Sequence, residues 1–153
     1  SENREKNEEK NASSNEIKND NNRGRGRIRI LQPCHKIADT TNMIWVCDGA
    51  ANVGQIGHSV GMMLTNTEKG RVCCITAIAA GSKPHIDIAM RAKKNIAING
   101  CGNRCASKVL EKAGVKIGYE IDISKYLQKI PTLDFYEADL KRIATEVVKN
   151  ANL

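Results

Sequence analysis

From Met43 onward the apolar residues fall into short runs parted by polar turns, and the runs alternate between two spacings. Met43-Ile44-Trp45-Val46, Arg71-Val72-Cys73 and Ile96-Ala97-Ile98 are brief stretches rich in β-branched or aromatic residues, the kind that forms buried strands. Between the first two, Val53, Ile56, Val60, Met63 and Leu64 recur at helical spacing and predict a helix over 53–64 with one core face. Asn52 and Gln55 suit a capping box at its start. A short helical turn is expected over 76–81, a helix opened by Pro84 over 85–94, and another over 104–113 that Gly114 ends.

Further on, Ile117, Tyr119, Ile121 and Ile123 alternate with Glu120 and Asp122, which predicts a strand at a sheet edge. Asp134 and Glu137 open a last helix, with Tyr136, Leu140, Ile143 and Val147 as its buried stripe. Ile28 to Leu31 reads as an earlier, first strand. Strand and helix in alternation predict an α/β fold, a mainly parallel sheet with helices on its faces, because parallel strands need long crossovers.

Composition changes this picture at the N-terminus. Residues 1–26 are Asn, Glu, Lys and Ser with almost no large apolar side chain, so they cannot repay their ordering entropy and are expected to be a disordered tail. One domain is expected over 27–153. Aromatics are only 3%, so its core must come from aliphatic side chains. The Arg-Gly alternation of 23–29 could touch phosphates, but without interleaved aromatics it reads as a solvated lead-in, and a nucleic-acid partner is not expected. The net charge of +7 fits solubility or an acidic partner. No run approaches the roughly 18 apolar residues of a membrane span, and no signal-type segment opens the chain. A soluble, cytoplasmic protein without a membrane partner is the expectation, and in a reducing compartment six cysteines read as metal-binding or redox thiols.

Their placement carries the chemistry. Cys47, Cys74 and Cys101 recur at intervals of 27 residues, each closing an apolar run, and Cys105 follows in the turn after Cys101. A repeating βα unit consumes about 25 to 30 residues, so these thiols are expected at successive strand ends, which share one edge of a parallel sheet. Cys105 falls in the first turn of a helix, where outward amides and a positive dipole suit an anionic sulfur. Neighbours on a strand point to opposite faces, so only one of Cys73 and Cys74 serves, and the interval favours Cys74. Cys34 reads as a small buried thiol, and His35, His58 and His85 as ordinary polar residues. Gly54, Gly57 and Gly61 cost helix propensity, which close packing of helix on sheet explains, with backbone approach to a ligand beside Cys47 as the rival.

Three stretches, 47–55, the strand 71–74, and 99–108, resemble the DGC-domain family over about 43–114. The family's naming motif is Asp-Gly-Cys, and Asn99 stands here in place of the aspartate. The family is described as zinc-binding from four chelating cysteines, which the resemblance carries onto Cys47, Cys74, Cys101 and Cys105. It implies a metal-binding protein with Zn²⁺ held by four thiolates, in an accessory or carrier role that leaves room for a protein partner. An iron–sulfur cluster protein and a thiol-based redox or sulfur-transfer enzyme are the alternatives, and no catalytic residue is assigned.

Overall fold

In the computed structural model, which describes residues 28–153, strand β1 (Asn42–Val46) lies inside the sheet and the other strands assemble around it. The expected tail over 1–26 lies outside the described residues. Residues 28–32 hold no regular structure, and Ile28 and Ile30 are largely exposed, so the strand expected over 28–31 is not formed. That run ends at Pro33, which has no N–H for a ladder.

From Pro33 to Leu153 the chain is one compact unit. Short helix α1 (Cys34–Ile37) and a 3₁₀ turn (Ala38–Thr40) precede β1. Then follow α2 (Asn52–Asn66), β2 (Arg71–Cys73), α3 (Ile75–Ala79), α4 (Lys83–Arg91) and β3 (Lys94–Asn99). After α5 (Cys105–Lys112) come β4 (Tyr119–Asp122), a 3₁₀ turn (Ile123–Lys125) and α6 (Glu137–Ala151). The sheet order is β2-β1-β3-β4, every pair parallel, with β4 at an edge as the sequence pattern anticipates.

Period-two alternation splits the core into two layers. Ile44, Val46, Ile96, Ile98 and Ile121 face α2 and α6, while Met43, Trp45 and Ala97 face α3, α4 and α5. Trp45 is fully buried and its indole N–H donates to Asn95 Oδ1 at 2.9 Å, satisfying the one polar atom it carries inward. Glycines set the closeness of α2 to the sheet: a Cβ on Gly61 would stand 2.9 Å from Val46 Cγ1.

Four local expectations differ. Ala51, not Asn52, is the N-cap of α2, and Asn52 spends its amide elsewhere. Tyr136 is the N-cap of α6 and 81% exposed, so the buried stripe is Ile143, Ala144, Val147 and Ala151 with Leu140 at its margin. Asp134 does not cap that helix, which starts three residues later with no side-chain cap. The helix expected over 85–94 stops at Arg91, because Lys94 already pairs with Asn42 in β3.

Candidate functional site

The order β2-β1-β3 places the chain's reversal between β1 and β3: the crossover from β1 goes to one side, and β3 arrives on the other. A crevice opens at the carboxyl ends of two such strands. Here it is a cavity of about 340 Å³ lined by Cys47, Asp48, Gly49, Gly54, Cys101, Cys105 and Lys129, among others.

Three backbones meet at its floor. A Cβ on Gly54 would fall 2.2 Å from the Gly49 carbonyl oxygen, and one on Gly100 would fall 2.9 Å from Gly54 N. Only glycine at 54 and 100 lets the turn after β1, the start of α2 and the turn after β3 touch directly. Close packing and approach to the site are thus the same fact at Gly54. The contact brings the Gly100 N–H to Cys47 Sγ at 3.2 Å.

The other two sulfurs also accept N–H donors. Asn103 Nδ2 donates to Cys105 Sγ at 2.9 Å, and Lys129 Nζ stands 3.7 Å from Cys101 Sγ. Cys101 is half-buried and Cys105 exposed at the start of α5. Cys74 follows β2 as the N-cap of α3, exposed, and lines a neighbouring cavity of about 450 Å³ with Asp48, His58, Arg71 and Cys73. Asp48 borders both cavities. So all four cysteines lie on the carboxyl edge, three around one cavity and Cys74 in the next. Among the described residues, no three His, Cys, Asp or Glu side chains stand close enough together to hold a metal ion as they are. The donor chemistry still suits a soft or borderline cation, since thiolates select Zn²⁺ and iron–sulfur clusters.

A family model, the DGC domain, matches residues 43–147, more than half of the 153-residue chain. The chain belongs to the DGC-domain family. No curated protein and no solved structure matches it.

In this DGC domain the motif position Asn99 is buried, 1% exposed, and works as a brace. Its Oδ1 accepts the Ser107 N–H at 3.1 Å and its Nδ2 donates to Ser107 Oγ at 2.8 Å, tying the end of β3 to α5 across the Cys101–Cys105 turn. The Ser107 hydroxyl donates to Glu120 Oε2 at 2.6 Å, and Arg104 binds Glu120 and Glu111 at 2.7 Å each. The Arg104 hydrogen bond, then that of Ser107, holds the Glu120 carboxyl below the usual carboxylate range. Arg104 itself takes φ 55°, a left-handed backbone that its two ion pairs help hold. An aspartate at 99 would bring a second carboxylate to the Ser107 hydroxyl, so asparagine is the neutral fit to this network.

Asn52 and Lys129 escaped the sequence reading as residues of the site. Asn52, 3% exposed, donates to the Gln128 carbonyl and accepts the Ile130 N–H, both at 2.9 Å, pinning the segment that carries Lys129 beside Cys101. Neither contact leaves a local signal, since the partners stand 76 and 78 positions apart in the chain. Of the histidines, His85 Nδ1 pairs with Ser82 Oγ at 2.8 Å, as expected of an ordinary polar residue, and His58 is exposed at the second cavity. Cys73 is half-buried against the Trp45 layer, in keeping with a core thiol, and burial, with Cys34 beside it, pushes its thiol up to about 12.

Proposed function

We propose that this DGC domain is a zinc-binding protein of carrier or accessory type, with Cys47, Cys101 and Cys105 as ligands around the crevice between β1 and β3 and Cys74 as the fourth. The observation that carries the reading is that each of the three sulfurs around that cavity accepts an N–H, from Gly100, Asn103 and Lys129. Four thiolates around Zn²⁺ leave a double negative charge, and donors of this kind, with a lysine among them, offset it. Side chains that stand apart have to be drawn together by the ion, which favours loading and release over a closed structural site.

The test is elemental analysis with a visible spectrum on anaerobically purified protein. Zinc near one per chain without colour supports the reading. A brown protein with iron and acid-labile sulfide replaces it with a cluster protein. Absence of stoichiometric metal, with a modified cysteine in the intact mass, replaces it with a sulfur-transfer or redox enzyme.

A further inference from the structure

The second cavity on the carboxyl edge, about 450 Å³ in volume, is lined by a cation that no carboxylate pairs. Between Pro33 and Leu153 the arginines are Arg71, Arg91, Arg104 and Arg142, and the last three each form an ion pair with an acidic side chain. Arg71 has none among the described residues. It opens edge strand β2, half-buried, and its Nη1 donates to the Val72 carbonyl at 2.6 Å while its Nε is buried without a hydrogen-bond partner. A guanidinium carries five N–H donors in a planar fork, so most of the donors here are unspent. The Val72 N–H donates to Thr65 Oγ1 at 2.9 Å, so both backbone groups of Val72 are taken and the arginine is held against the strand.

The rest of the lining narrows the ligand. Val46, Val72 and Ile75 give the cavity an apolar wall, and His58 of α2 borders it as well. Asp48 lines it too, and its charge opposes a doubly charged anion more than a singly charged one. A planar carboxylate matches the guanidinium fork through two parallel hydrogen bonds. The volume lies in the range of small-molecule sites, roughly 300 to 1,000 Å³. We infer that this cavity binds a small organic monocarboxylate, with the carboxylate on Arg71 and an apolar body against Val46, Val72 and Ile75. Its occupant lies beside Cys74, which lines the same cavity. The inference is independent of the metal reading, because Cys74→Ser removes a proposed zinc ligand and leaves Arg71 in place.

The experiment titrates benzoate into the reduced, isotope-labelled full-length chain and follows amide chemical shifts, with benzamide and inorganic phosphate in parallel. Benzoate should give saturable shifts at Arg71 to Thr76 and at His58. Benzamide keeps the body without the charge and phosphate the charge without the body, and each should bind about tenfold more weakly or worse. Arg71→Gln should weaken benzoate by a similar factor, whereas Cys74→Ser should bind it as the wild type does. If Arg71→Gln fails to fold, the comparison of benzoate with benzamide on the wild type still decides. No saturable shift with benzoate, equal binding of benzamide, tighter binding of phosphate, or shifts centred on Cys101 and Lys129 overturns the inference. So does benzoate binding that survives Arg71→Gln but is lost in Cys74→Ser.

Discussion

Asn52 gives the sharpest test of how the site is held. Asn52→Ala removes two partly buried hydrogen bonds of 2.9 Å and leaves the Gln128 carbonyl and the Ile130 N–H without their partner. At about 1 kcal/mol for each bond the loss is about 2 kcal/mol. Alanine returns roughly 0.6 kcal/mol through helix propensity, because Asn52 is the first residue of α2 and not its cap. A net loss of about 1.5 kcal/mol corresponds to a melting temperature lower by about 6 °C for a domain of this size. The local effect is more specific than the global one. The Ile130 amide should lose protection in hydrogen exchange, while the amides of β1 and β3 keep theirs apart from the global shift. Release of Gln128 to Ile130 also frees Lys129 from Cys101, so alkylation of Cys101 should change rate while that of Cys74 does not. Unchanged stability together with an unchanged Ile130 exchange rate would refute the reasoning.

Gly54→Ala should destabilise by about 2 kcal/mol or more in urea unfolding, since overpacking against the Gly49 carbonyl outweighs the roughly 1 kcal/mol that alanine gains in a helix; a stabilised variant would mean the three-glycine contact is loose. Glu120 has a folded-state pKa below its unfolded one, so its contribution is present above the ordinary carboxylate range and is lost as pH falls through the folded value. Urea midpoints of wild type and Glu120→Gln should therefore differ at neutral pH and converge below about pH 4; parallel curves would remove the Arg104–Glu120–Ser107 network from the stability of the turn. For the metal reading, Cys47→Ser, Cys101→Ser and Cys105→Ser should each lower zinc stoichiometry in a chelator competition while Cys34→Ser keeps it, and binding to the wild type should release protons. Equal retention of zinc by all four variants would reject the assignment.

Much of the architecture was already legible in the order of apolar runs. Three short β-branched stretches separated by helical periodicities imply parallel strands and crossovers, and Cys47, Cys74 and Cys101 then have to lie at one edge because each follows a strand. That Cys73 and Cys74 face different surroundings also followed from local geometry, since alternation in a strand is a property of the backbone alone, and the interval of 27 residues pointed to Cys74 as the one at the edge. What the chain order could not supply was strand neighbourhood. The order β2-β1-β3-β4 puts the crevice between β1 and β3, so Cys47 shares a cavity with Cys101 and Cys105 while Cys74, spaced as evenly in sequence, lines the next one. Capping was misread at Asn52 for the same reason: an amide that looks local when its neighbours are all one sees was taken by a partner more than seventy residues away. Cys34 and Cys73 share one apolar cluster only because a strand face and a helix before β1 close on it. Periodicity is set by bonds between adjacent residues and can be read along the chain; contacts across the sheet are set by which faces bury each other, and that is decided only when the whole core packs.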